Sequence, residues 1–343
     1  WLDTPTGVLK RMAENTGAFR WHTFTAAAGI YWQDLSVETS SNVTLLHAFS
    51  GFIATGELCG IIGPSGSGKS TLLRTLGGRR FGDLKSSGKF WWNDDASSRS
   101  SSRLLSPSLV AFLHQQDVFF GMLTAKETLQ LASFLEFPDL KRTERDAIVQ
   151  KSLDSLGLTL VQDRKIGDRL MSDAKGGGLS GGEQRRLSLA LEILGNPRLF
   201  LADEATTGLD STQANKVVRL ISDLAKERNI PALLSLHQPR ASIWRMLDRF
   251  ILLGPSGRVC YVGKRSDAMS YFQRLGYECP EETNPAEFFI DLVSVDTEDA
   301  EQGRIDEMRI DELMLAFRNF SQTKLTRYNP VIDSASSLST SAP

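Results

Sequence analysis

Gly63-Pro64-Ser65-Gly66-Ser67-Gly68-Lys69-Ser70-Thr71 follows directly on the short apolar run Leu58–Ile62. Such a run, bounded by turn residues, predicts a buried strand of a parallel sheet. The nine residues fit G-x-x-x-x-G-K-[ST], a loop that cradles phosphates. Its glycines let backbone N–H groups turn inward, and the helix predicted from Ser70 through Leu76 adds its positive N-terminal end. That helix stops at Gly77-Gly78. Lys69 is placed to reach β- and γ-phosphates, and the Ser70 hydroxyl to bind Mg²⁺. Strand, glycine loop and helix in this order predict an α/β domain that binds a nucleotide triphosphate.

Four further stretches carry chemistry. Leu199-Phe200-Leu201-Ala202-Asp203-Glu204 is an apolar strand ending in two acids. Carboxylates there are costly to desolvate without a task. Asp203 is placed to hold Mg²⁺ directly or through water, and Glu204 to polarise an attacking water as general base; the alternative is that one of them caps a helix. Gln115 follows the apolar run Leu109–Leu113, with Gln116 adjacent as the competing register. His237 ends the run Leu233–Leu236, where a structural histidine is the alternative to a γ-phosphate sensor. Leu179-Ser180-Gly181-Gly182-Glu183-Gln184 opens a helix with a hydroxyl and free amides, which makes a second phosphate-binding N-terminus.

A phosphate loop paired with that Ser-Gly-Gly turn resembles the ATP-binding cassette (ABC) family. The resemblance covers residues 28–296 and narrows to the G subfamily of ABC transporters, the White-type half-transporters. It rests on Thr206-Thr207-Gly208-Leu209-Asp210-Ser211, Leu236-His237-Gln238-Pro239-Arg240 and Asn284-Pro285-Ala286-Glu287-Phe288-Phe289-Ile290-Asp291. It implies a P-loop NTPase fold with a RecA-like core, an antiparallel β subdomain and a helical subdomain at about 117–178. It also implies ATP and Mg²⁺ as ligands. Gln115 would contact the Mg²⁺ and the attacking water and couple the site to a transport domain. Asp210 would line a dimer seam, and Ser180, Gly181, Gly182 and Glu183 would complete the nucleotide site of a second cassette. A membrane domain is expected to follow, with the cassette on the cytoplasmic face of a membrane. The transported substrate stays open, a lipid or sterol among the candidates. Two departures stand out: Ala202 and Ala205 replace the usual Leu and Pro around the acids, and Val37 holds the place of an adenine-stacking ring, with Tyr31 and Trp32 nearby but early in register.

The competing reading is a soluble, non-transport cassette ATPase. No long heptad-bearing segment lies between the two phosphate-binding stretches, and one cassette is found rather than two. A GTPase is disfavoured because Asn215-Lys216 continues into Val217-Val218 rather than into the guanine-reading pattern.

Composition agrees with a single large domain with extensions: 343 residues, 41% hydrophobic. A formal net charge of -2 gives no basic field for nucleic acid. The pairs Arg79-Arg80 and Arg185-Arg186 read as solvated helix faces. Cys59, Cys260 and Cys279 form no metal-ligand pattern, and Cys59 reads as a small core residue. The best apolar stretches, Leu187–Leu194 and Phe288–Val295, are too short to span a membrane and carry Glu192 and Asp291. The chain begins at Trp1 without an initiator Met, as a piece of something longer would.

Along the chain, 1–28 reads as a polar lead-in, Ile30–Val37 and Thr44–Phe52 as antiparallel strands, and 94–108 as a Ser-rich loop. Residues 124–178 read as helical, opened by the capping box Thr124-x-x-Glu127. Beyond 196 the pattern is strand 199–202, helix 211–228, strand 232–236, helix 240–248 and strand 250–253. Residues 297–343 read as linker toward a membrane domain, with one helix suggested by Ile310, Leu313, Met314 and Phe317.

Overall fold

The structure is a computed structural model that describes residues 28–79, 84–93, 106–167 and 178–325. The readings of 1–27, of 94–105 and of the last eighteen residues lie outside the described residues. In chain order the elements are β1 (Gly29–Glu38), β2 (Thr44–Ala54), β3 (Leu58–Ile62), α1 (Lys69–Leu76), β4 (Lys85–Asn93) and β5 (Val110–Leu113). Then come α2 (Ala125–Glu136), α3 (Arg142–Ser155), α4 (Gly181–Leu194), β6 (Leu199–Ala202), α5 (Ser211–Glu227) and β7 (Ala232–Ser235). The last are α6 (Ala241–Met246), β8 (Arg249–Gly254), β9 (Arg258–Lys264), α7 (Arg265–Arg274), α8 (Pro285–Leu292) and α9 (Ala300–Leu325).

Two sheets result. The larger has order β5-β6-β7-β3-β8-β9, parallel throughout except for β9. Every residue of β3, β5, β6 and β7 is buried, as expected for strands covered on both faces. Because these four strands are parallel, their carboxyl ends share one edge of the sheet. That edge receives the phosphate loop from β3, Gln115 from β5, Asp203 and Glu204 from β6, and His237 from β7. Ligands of open α/β sheets bind at this edge.

The smaller sheet, β2-β1-β4, is antiparallel. It abuts the larger sheet along β2, where Arg249 lies 4.1 Å over the Phe52 ring and donates to Glu57 at 2.6 Å. Tyr31 stacks between Phe52 and Trp91, and Trp32 is fully buried against Phe49. Both rings belong to this sheet's packing, so neither is free to stack on an adenine. Val37 is buried too.

The segment 124–167 divides into α2 and α3 where Pro138 interrupts the helical pattern, then a short turn leads toward α4. The capping box at Thr124 is present with both hydrogen bonds, and α2, α3 and α4 pack together as a helical layer. Val149, Leu153 and Leu156 form its inner stripe. Residues 168–177 are outside the described part.

The C-terminal region differs from a linker. Ile310, Leu313, Ala316 and Phe317 of α9 are buried against β9, within an aromatic cluster of Tyr261, Tyr271, Phe272, Phe289 and Phe317. The apolar period at 310–317 predicts this face; the polar residues around it obscured that the helix runs over 300–325. Asp306 ties the turn before α9, accepting from Asp296 N and from Arg309. Three elements were not read from the sequence: β4, which starts with five exposed residues, β9 and α7. No helix among the described residues is long and apolar enough to cross a membrane.

Candidate functional site

The phosphate loop is held open by backbone geometry only glycine tolerates. Gly63 has φ 151, and a Cβ there would lie 2.1 Å from Leu253 O on β8. Gly68, at φ 91, is the N-cap of α1, and a Cβ would press on Leu45 O and the Leu46 side chain. The turn aims the start of α1 into the space in front of β3 and leaves the Ser67 hydroxyl fully buried without a hydrogen-bond partner. An orphaned buried hydroxyl costs free energy unless a ligand satisfies it.

Lys69 is buried, and its ammonium donates to Gly63 O at 2.9 Å and Pro64 O at 2.7 Å. Burial pushes its pKa down, against the upward pull of Glu204 and Asp203. The amine is thus desolvated and held by neutral carbonyls, a state that an incoming phosphate anion would relieve.

Asp203 ends β6, nearly fully buried. Its Oδ1 accepts from Ser70 Oγ at 2.8 Å and from Ser235 Oγ at 2.8 Å, and Oδ2 faces Arg74 at 3.9 Å. The Ser70 and Asp203 oxygens that the sequence assigned to a metal are therefore in contact. Oxygen donors of this kind suit a hard cation such as Mg²⁺. Ser235 also accepts from Glu204 N at 2.7 Å, so one buried hydroxyl joins both acids to β7.

Glu204 has φ 48, a left-handed conformation unusual for a residue with a Cβ. Its Oε2 accepts from Gln115 Nε2 at 2.7 Å and from Thr207 Oγ1 at 2.9 Å. The structure thus brings Gln115, rather than Gln116, onto the carboxylate. His237 is exposed two residues beyond the strand end, and Gln238 follows at φ 43. Asn284 Nδ2 donates to Pro239 O at 2.9 Å while its Oδ1 caps α8. The 284–291 stretch thereby anchors the His237 turn, and it inserts Phe289 between Trp244, Phe250 and Phe272.

Ser180, Gly181, Gly182 and Glu183 open α4. Ser180 Oγ accepts from Glu183 N, and Glu183 Oε2 accepts from Ser180 N at 2.7 Å, a complete capping box. Ser180 and Gly181 are exposed. Gly181 lines a cleft of about 200 Å³ with Gln115, Gln116, Asp117, Arg185, Thr207, Gly208 and Leu209; residues 63–71 are not among its walls. Asp210 caps α5, accepting from Thr212 N and Gln213 N.

Arg185 corrects the sequence reading. It is 3% exposed, not a solvated helix face, and its guanidinium binds main-chain carbonyls around both Gln115 and Glu204. A charge on the helix face that turns toward the strand ends was the available signal. Ser235, a lone polar residue inside the apolar run Ala232–Leu236, was another. Cys59 is core as expected; burial pushes its thiol up, and raises that of Cys260 to about 12.

Beside Gln115, His114 accepts from Arg79 at 3.0 Å. Burial and then the Arg79 charge hold its pKa below 6.5. The loop continues into Val118, Phe120 and Met122, all strongly exposed, with Phe134 and Leu135 exposed on α2.

Comparison with known proteins places these features in a family. A model described as ABC transporter matches residues 46–207, and one described as ABC-2 type transporter matches 237–332. The chain is 39% identical over 311 residues to ABC transporter G family member 7 of Arabidopsis thaliana, covering 89% of this chain and 40% of that protein. It is 37% identical over 251 residues to ATP-binding cassette sub-family G member 8 of Homo sapiens, covering 73% of this chain and 36% of that protein. With sub-family G member 5 of Rattus norvegicus the identity is 35% over 292 residues, 84% of this chain and 43% of that protein. The chain therefore spans well under half the length of these relatives.

Proposed function

The chain belongs to the ABC transporter family, among its G-subfamily members, and on that premise we propose that it is the ATP-binding and ATP-hydrolysing cassette of a half-transporter. The observation that carries the reading is the convergence of Lys69, Ser70, Asp203, Glu204 and Gln115 at one sheet edge. In this reading the 63–71 amides and Lys69 bind the β- and γ-phosphates. Ser70, Asp203 and Gln115 would hold Mg²⁺, which would supply charge neutralisation to the phosphates. Glu204 takes a proton from the attacking water, and exposed His237 contacts the γ-phosphate.

The fit favours these roles over a structural one. Asp203 offers its carboxylate to two hydroxyls and an arginine, which stabilises its charge at a position where an unpaired acid would be costly. Gln115 and Thr207 orient the Glu204 carboxylate with two hydrogen bonds, and its charge acts on Lys69.

Ser180 and Gly181 are exposed at a helix N-terminus, and Gly181 lines a cleft that residues 63–71 do not border. We assign them to the nucleotide of a second cassette facing head to tail, same or different in sequence, with Asp210 near the seam. In this reading a membrane domain accompanies the cassette, which sits at the cytoplasmic face of the membrane. The exposed Val118, Phe120 and Met122, next to Gln115, supply an apolar surface for that contact. Substrate choice falls to membrane helices outside these residues. The ABC-2 type match and the G-subfamily relatives favour transport over a soluble cassette ATPase.

Mixing two damaged chains tests the shared site. Ser180→Arg and Lys69→Ala should each be nearly inactive alone, and their mixture should regain part of the ATPase rate, because each mixed dimer holds one site with both halves intact. A mixture no better than its components contradicts the shared site.

A further inference from the structure

Arg185 reaches more functional main chain than any residue the sequence singled out. Its side chain is 3% exposed and sits on α4, one turn beyond Gly181-Gly182. Nε donates to Ala205 O at 3.1 Å, and Nη2 donates to Asp203 O at 3.4 Å and Glu204 O at 3.3 Å. Nη1 donates to His114 O and, at 2.8 Å, to Asp117 Oδ1. Ser188 Oγ, also on α4, donates to the same Asp117 oxygen at 2.7 Å and fixes the counter-charge. The guanidinium has five N–H donors in a rigid fork, and this site offers five acceptors.

The acceptors identify what is being held. Asp203 O and Glu204 O belong to the two peptide planes on either side of Glu204, and His114 O to the plane that leads into Gln115. Glu204 keeps a left-handed backbone at φ 48, a conformation that costs on the order of 1–3 kcal/mol and persists only when surroundings over-determine it. Three groups do so here: the Ser235 hydroxyl takes its N–H, and Thr207 N and Arg185 share its carbonyl. Burying a guanidinium is itself expensive, and helix packing needs nothing charged at this point. Leu187 and Leu189 on the same helix are fully buried with apolar side chains.

We infer that Arg185 is a positioning residue for hydrolysis, which sets the backbone of the base Glu204 and the approach of Gln115 from a single guanidinium. The inference rests on the hydrolytic reading given above. Arg185 touches no reacting group itself; it acts through the two residues whose peptide planes it fixes. Lysine cannot take its place, because one ammonium with three donors cannot span acceptors on two strand ends.

The test uses the full-length transporter, reconstituted, with Arg185→Lys as the primary variant and Asp117→Asn as the second. Lysine keeps a cation beside Asp117, and asparagine keeps an acceptor for Arg185, so each retains part of the folded network; thermal unfolding checks both. The expected result for Arg185→Lys is a loss of kcat on the order of 10²-fold, the cost of a misplaced catalytic group, with the ATP dissociation constant unchanged. Asp117→Asn should lose kcat in the same direction and by less. In a Glu204→Gln background, adding Arg185→Lys should lower the residual rate no further, because the group being positioned is already gone. Unchanged kcat in folded Arg185→Lys overturns the inference, as does an equal fold-loss with and without Glu204→Gln. Should Arg185→Lys not fold, unchanged kcat in folded Asp117→Asn overturns it instead. Absence of turnover in the unaltered transporter is a different failure, since it removes the hydrolytic reading itself.

Discussion

Ser235→Ala removes a single oxygen, yet the structure ties that oxygen to both Asp203 and Glu204. Ser235 is fully buried; its hydroxyl donates to Asp203 Oδ1 at 2.8 Å and accepts from Glu204 N at 2.7 Å. Alanine leaves the Glu204 amide unpaired in a dry site, a loss of about 1–3 kcal/mol, and takes from the Asp203 carboxylate a hydrogen bond worth about 1.5–3 kcal/mol. The two losses overlap, because Asp203 keeps Ser70 and Arg74, so about 2–4 kcal/mol is expected in sum. For a domain of this size that lowers Tm by roughly 5–10 °C. Ser70→Ala deletes a donor to the same Asp203 oxygen but orphans no backbone amide, and it should cost less. Equilibrium unfolding in urea, with the slope compared between variants, reads both values. A Ser235→Ala loss below about 0.5 kcal/mol, the scale of an ordinary surface change, would refute the hydroxyl bridge.

Other outcomes follow from the same geometry. Glu204→Gln should bind ATP normally while hydrolysis falls by orders of magnitude, whereas Lys69→Ala should weaken binding itself; equilibrium nucleotide binding and phosphate release separate the two. Discrimination between ATP and GTP should be weak, because Tyr31 and Trp32 are packed inside the antiparallel sheet and Val37 has no ring; a competition assay with strong adenine preference would contradict this. Stability should also fall with acid. Burial, with Arg79 for His114 and Arg258 for His47, holds both pKa values below 6.5 in the folded chain. Below that pH the unfolded chain binds more protons, so folding free energy is lost as pH drops through 6.5 toward the folded values. Asp311 faces His47 as an opposing charge, and Asp203 and Arg185 also act on His114. Unfolding measured across this window should flatten in a His47→Gln, His114→Gln double variant.

Much of the site is written in local sequence because its parts sit at element ends. The glycine loop, the acids after Leu199–Ala202 and the capping box at Thr124 each involve residues a few positions apart, and each appears at the place its pattern predicts. What escaped the sequence is non-local. Arg185 meets His114 and Glu204 only because α4 packs across the ends of β5 and β6, and the helix face it falls on is the one mark of that contact in the sequence. The strand β4 was hidden by its exposed, charged first half, since an edge strand needs no apolar alternation. In α9 the apolar stripe was visible, while the polar residues on both sides of it read as linker. Tyr31 and Trp32 show the converse: two rings near a nucleotide site turn out to serve a sheet.

The measurement closest to the central claim is ATP turnover per chain as a function of protein concentration. Gly181 lines a cleft that residues 63–71 do not border, and in the proposed reading complete sites form only between two cassettes. Turnover per chain should therefore rise with concentration, and Glu204→Gln with ATP should trap a dimer visible by light scattering. Concentration-independent hydrolysis by a strict monomer would contradict the account.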